Sequence, residues 1–151
     1  MAQTVPVRGR ADYGELRSAL RGMAFEPGDP GYEEAASIYN AMIHKRPAMI
    51  ARVADVADVI AAVNFARERG VPLAVRGGGH NGAGLGTVDD GLVIDLSAMN
   101  GVRVDPEART ARVGGGCRWG DVDHATHAFG LVTPSGIIST TGVAGLPPGG
   151  G

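Results

Sequence analysis

Apolar residues recur with two different periods along this chain, and the alternation between them predicts its elements. Leu16 and Leu20, at i and i+4, predict a short helix over residues 13–20, with Gly22 just past its end. The EPGDPG stretch punctuates the chain. Beyond it Tyr32, Ala35, Ala36 and Tyr39 share one face of a second helix of about ten residues. The apolar run AMIARV reads as a strand. Asp55 then offers an N-cap, and Val56, Val59, Ile60 and Val63 fall at i, i+3, i+4 and i+7. Arg67 and Arg69 suit the last turn of that helix, and Gly70 its end. With the strand run Leu73, Ala74 and Val75, this predicts a βαβ unit with a right-handed crossover.

The second half carries more glycine. RGGGHNGAGLG follows the Leu73 strand, and LVIDL then reads as a buried strand. VRVDPEARTARV reads as a hairpin whose turn, Asp105 to Ala108, has Pro106 at its favoured second position. Gly114 to Gly116 and Cys117 precede a helix from Arg118 to Phe129, with Trp119, Val122, Thr126 and Phe129 on one face and Gly130 closing it. The last stretch, LVTPSGIISTTGVAGLPPGGG, has no convincing helix and is too apolar for a tail. It reads as a loop that lies against a ligand.

Composition narrows the class. A length of 151 residues fits one domain or two small lobes. The 25 glycines exceed twice the usual share of about 7% and follow no collagen period. A net charge of −2 gives no basic surface for nucleic acid, and one cysteine excludes an intrachain disulfide framework. No apolar run reaches the length of about 18 residues that a membrane span needs. The expectation is a cytoplasmic protein without a membrane or nucleic-acid partner.

The candidate chemistry sits at Arg76 to Gly86. Gly77, Gly78 and Gly79 let the backbone approach a ligand and turn successive N–H groups onto an anion. Arg76 would add fixed positive charge, and His80 would project from the loop toward whatever the anion is attached to. The bland alternative is a flexible surface turn. Gly77, Gly79 and Gly82 also match G-x-G-x-x-G with Asp95 beyond, the mark of a nicotinamide-binding Rossmann unit. That unit needs a helix between the two points. The glycine-rich GAGLGTVDDG disfavours one by about 1 kcal/mol per glycine. His124 and His127 lack further ligands, so no metal site is expected. Trp119 and Phe129 are expected as core anchors, and Asp95 as structural.

These motifs, in this order from Arg46 to Leu146, resemble FAD-linked oxidases with a PCMH-type FAD-binding domain. The berberine bridge enzyme-like oxidoreductases are the nearest group. The resemblance rests on RGGGHN, LVIDLS, VDPEARTARV, GDVD, GLVTPSG and TGVAGL, with NAMIHKRPA before them. It implies an α+β fold, part of an FAD-binding domain of two small α+β subdomains. Residues 46–151 would form that domain and residues 1–45 an N-terminal helical extension. It further implies that Gly77, Gly78, Gly79 and Asn81 give backbone N–H groups to the FAD pyrophosphate, with Arg76 and Gly82 also in the cofactor site, and that His80 bonds covalently to the flavin 8α-methyl. Pro134, Ser139, Thr140, Gly142, Val143 and Gly145 would line the ADP and ribityl portion. Some relatives attach flavin through a cysteine as well. Here Ile138 falls at that register, so Cys117 is expected as a structural thiol.

The implied activity is hydride transfer from a small-molecule substrate C–H to FAD, with oxygen or another acceptor reoxidising it. No catalytic residue is assigned within this chain, because in the family the base belongs to the substrate-binding part. The chain is therefore expected to be the FAD-binding part of a longer oxidase. Its alternatives are a non-catalytic FAD-binding remnant and, more weakly, the nicotinamide-binding module.

Overall fold

Apolar runs without alternation mark strands covered on both faces. In the computed structural model, which describes residues 11–145, Met49, Ile50, Ala51, Leu92, Val93 and Ile94 are all fully buried. The elements are α1 (Gly14–Ala19), β1 (Met23–Phe25), α2 (Tyr32–Ala36), β2 (Met49–Arg52), α3 (Val56–Arg69), β3 (Leu73–Arg76), β4 (Leu92–Asp95), β5 (Val102–Asp105), β6 (Thr110–Val113) and α4 (Trp119–His127). One sheet has the order β1-β2-β4-β3, with β1 antiparallel and the others parallel. β2, α3 and β3 form the expected βαβ unit, and β4 inserts between its two strands, with Leu92 opposite both Met49 and Leu73.

Each face of this sheet is covered. Met49, Ala51, Val53, Leu92 and Ile94 pack with Leu16 of α1 and with Ala62, Phe65 and Ala66 of α3. On the other face Ile50, Val93 and Ala74 pack with Tyr32 and Ala35 of α2. A second small unit follows, in which the β5–β6 hairpin and α4 close over Cys117, Trp119 and Val122. The two α+β subdomains are as expected. No helix among the described residues is long and apolar enough to cross a membrane.

The sequence reading departs from this structure in several places. The N-terminal part is more than a helical extension, because β1 pairs with β2 in the main sheet. At three residues it is too short for a period to reveal. α2 stops at Ala36, and Ser37 is extended. The Ser37 hydroxyl and the Arg76 guanidinium take the carbonyls of Glu34 and Ala35, which ends the helix and leaves Tyr39 outside it. Phe129 likewise lies past the end of α4 and is exposed.

The largest departure concerns α3. Its caps are as expected, with Asp55 accepting from Ala57 N and Asp58 N, and Gly70 at φ +61°. Most of the stripe read as its core face is however turned outward, with Val56 62%, Ile60 56% and Val63 40% exposed, and only Val59 packs against the core. The packed face is Asp58, Ala62, Phe65 and Ala66. A carboxylate on that face hides it from a hydrophobicity count. Asp58 is nevertheless fully satisfied, accepting from the N–H groups of Arg21, Gly22 and Ala54 at 2.9 Å each. Burial pushes this carboxyl up, but those three donors outweigh it, so it lies below the usual carboxylate range. Asp58→Ala leaves them without an acceptor and should lower stability by about 1–3 kcal/mol in urea unfolding. A loss no larger than that of an exposed-site control such as Glu68→Ala would show that water replaces the carboxylate freely.

Candidate functional site

The parallel strand β3 delivers the glycine loop at its carboxyl end, where open α/β sheets place their ligands. Its last residue turns inward. Arg76 is buried and donates to Asp95 Oδ2 at 3.1 Å, Ala35 O at 2.6 Å and Ser37 O at 3.4 Å. Asp95 is structural, as expected. The Arg76 charge does not stand free beside the glycines, since the low-polarity setting of the guanidinium requires a partner and Asp95 supplies it. The loop's power to hold an anion therefore rests on its backbone.

That backbone is sorted by direction. Among the described residues, the N–H groups of Gly77 through Gly82 have no acceptor, whereas several loop carbonyls are taken. Tyr39 N donates to Gly79 O at 3.2 Å, Asn40 Nδ2 to Gly82 O at 2.9 Å, and Lys45 Nζ to Gly84 O at 3.0 Å. Asn81 Oδ1 holds the turn from within, accepting from Ala83 N and Leu85 N. A strap at residues 39–45 thus covers the carbonyl side of the loop and leaves its donors for something else. NAMIHKRPA enters the sequence analysis only as part of the resemblance, and no periodicity in it marks Asn40 and Lys45 as partners of the loop.

The loop forms a wall between two clefts. One, of about 370 Å³, is also lined by Val75, Leu85, Thr141 and Gly145. The other, of about 480 Å³, is also lined by Arg52, Ser97, Arg118 and Thr140. His80 borders both. Its imidazole lies flat on Tyr39, with ring centroids 4.2 Å apart and planes 17° from parallel. A larger cavity of about 630 Å³ lies at the opposite end of the sheet, beside Pro47 and Pro72. Its arginines, Arg46 and Arg69, are paired with Glu33 and Glu15, so we place the site at the glycine loop despite the smaller volumes.

The second half of the chain closes the site from across the subdomain boundary. Gly142 is buried against Gly78, and Thr140 and Gly145 reach the clefts. Gly82, Pro134, Ser139 and Val143 line neither cleft. Val143 is held by the Cys117 cluster and by its own N–H to Cys117 O, and Ser139 O accepts from Gly120 N. Cys117 is wholly buried, and that burial pushes its thiol up. Among the described residues no group of His, Cys, Asp and Glu could hold a metal ion.

Unpaired donors on a loop whose glycines leave it bare, pressed between two α+β units, define a binder of an anionic cofactor. The pyrophosphate of FAD fits that row of donors, and the connection from β3 to β4 holds no helix, which a nicotinamide-binding unit would require. The chain belongs to the family described as FAD binding domain, whose model matches residues 47–151. It is 36% identical over 133 residues to (R)-6-hydroxynicotine oxidase of Paenarthrobacter nicotinovorans, covering 88% of this chain and 29% of that protein. An FAD-linked oxidoreductase of Dictyostelium discoideum is 36% identical, covering 91% and 30%. The crystal structure of 6-hydroxy-D-nicotine oxidase from Arthrobacter nicotinovorans superposes with a TM-score of 0.82 at 36% identity, over 84% of this chain and 28% of that one. Wild-type BBE-like 1 of Physcomitrella patens gives 0.78 at 29%, over 89% and 30%. The chain thus spans about 30% of the length of these relatives.

Proposed function

We propose that this chain binds FAD, carries it covalently on His80, and forms the cofactor-holding part of an oxidoreductase acting on a small-molecule C–H bond. The observation that supports this reading best is the row of unpaired N–H groups from Gly77 to Asn81, which lines the cleft with His80 inside it. Those donors would hold the pyrophosphate, and the buried Gly78–Gly142 contact would keep the second subdomain against it. Held by these residues, FAD would supply hydride acceptance from a substrate and electron delivery to oxygen or another acceptor. The names of the relatives support the reaction class; the substrates those names mention belong to those proteins.

In acid precipitation, wild type and Cys117→Ala should keep flavin in the pellet, and His80→Ala should release it. Flavin lost from Cys117→Ala, or kept by His80→Ala, would overturn the attachment. Anaerobic bleaching of the bound flavin by a small alcohol, sugar or amine separates turnover from holding alone.

A further inference from the structure

His80 has a neighbour with no evident structural duty. Tyr39 stacks on its imidazole at 4.2 Å and 17° yet is 73% exposed, so its ring fills no core. Its position is set by main chain, since Tyr39 N donates to Gly79 O and the adjacent Asn40 side chain donates to Gly82 O, anchoring the strap on both sides of His80. Neither ring nitrogen of His80 has a hydrogen-bond partner among the described residues. We infer that Tyr39 is a positioning residue for His80, holding the imidazole plane so that one nitrogen faces the flavin 8α carbon. This rests on the reading of His80 as the attachment residue.

The chemistry requires such a hold. An imidazole nitrogen bonds through a lone pair lying in the ring plane, so a partner on the ring face fixes that plane without using either nitrogen. A hydrogen-bond acceptor or donor in the plane would consume one. Without a partner, a histidine on a loop would spread over several staggered rotamers. In the net reaction a carbon–nitrogen bond forms between His80 and the 8α carbon. One methyl C–H and the imidazole N–H are broken, and the electron pair and both protons pass to dioxygen, giving hydrogen peroxide.

The test uses the whole chain, freed of flavin, mixed with FAD in air and sampled into acid over time. Tyr39→Ala should slow the appearance of acid-stable flavin roughly three- to tenfold, the share a stacked aromatic pair supplies. Rates are compared at saturating FAD, with reversible binding read by fluorescence before acid, because Tyr39 also lines the larger of the two loop clefts. Tyr39→Phe keeps the stack and should restore the rate. Wild-type rates in Tyr39→Ala, or a Tyr39→Phe as slow as Tyr39→Ala, would overturn the inference alone. Wild-type flavin released entirely by acid would overturn the reading of His80, and the inference with it.

Discussion

Gly78→Val should open the cofactor cleft and weaken FAD binding tenfold or more, while far-UV circular dichroism stays near wild type. A Cβ at residue 78 would lie 2.4 Å from Gly142 N and 2.5 Å from its Cα, and one at residue 142 would lie 2.3 Å from Gly78 N. Both obstacles are backbone, so no rotamer change relieves them and one loop must retreat. Overpacking of this kind costs about 1–3 kcal/mol, which converts to roughly tenfold in affinity. The strands and helices lie outside the contact, which is why the secondary structure should survive. Gly78→Ala and Gly142→Ala should each weaken binding, and the double variant should lose less than their sum, since both act on one contact. Gly82→Ala is the control for the fold, because its Cβ would meet nothing within 4 Å. Fluorescence titration with FAD in a His80→Ala background, where binding is reversible, reads the effect. A wild-type dissociation constant for Gly78→Val would refute the contact as an element of the site.

Asp95→Ala should be the most destabilising single change, by about 3–5 kcal/mol, because it strands the buried Arg76 guanidinium. Asp95 accepts from Arg76 and Arg52 on one oxygen, each at 3.1 Å, and from Ser97 N on the other. Against a typical total stability of about 5–15 kcal/mol, such a loss is visible in any melt. Burial pushes the Asp95 carboxyl up, but the Arg76 charge, Ser97 and Arg52 together bring it below its usual value. A lowered folded-state pKa means that its stabilisation is fully present above the unfolded value of about 4 and is lost as pH falls through the lower, folded one. The melting temperature of wild type should therefore fall steeply in acid, with Asp58 contributing in the same direction. Asp95→Asn should melt lower at neutral pH and show a shallower acid decline. Parallel pH profiles for the two proteins would mean that other carboxylates control acid unfolding.

Much of this was legible in local pattern. Two buried runs without alternation identified β2 and β4, and Asp55 and Gly70 bounded α3 through capping groups a few residues away. The hairpin followed from Pro106 and its flanking valines, and the glycine loop from consecutive glycines after a strand. Ordered motifs then pointed to the FAD-binding family, and the glycines after Gly79 weakened the nicotinamide alternative, which the helix-free connection from β3 to β4 removes. Each of these signals acts within about one turn or one strand, which is the range over which periodicity carries information.

What pairs distant residues was decided by tertiary structure. Arg76 looked like a free charge beside the loop until Asp95, on the neighbouring strand, took it. Gly78 looked like a residue kept small for a ligand, and it is also kept small for Gly142. Tyr39 looked like a helix core residue, and the early end of α2 moved it onto His80. α3 turned Val56, Ile60 and Val63 outward, while Asp58 met three backbone donors on the inner face. The sequence by itself determined most of the elements, the loop and the family, since those depend on neighbours along the chain, while the three-residue β1 escaped it. The faces, the partners and the strap depended on groups far apart in sequence, such as Arg76 and Asp95 or Asn40 and Gly82, that meet only once the chain has folded.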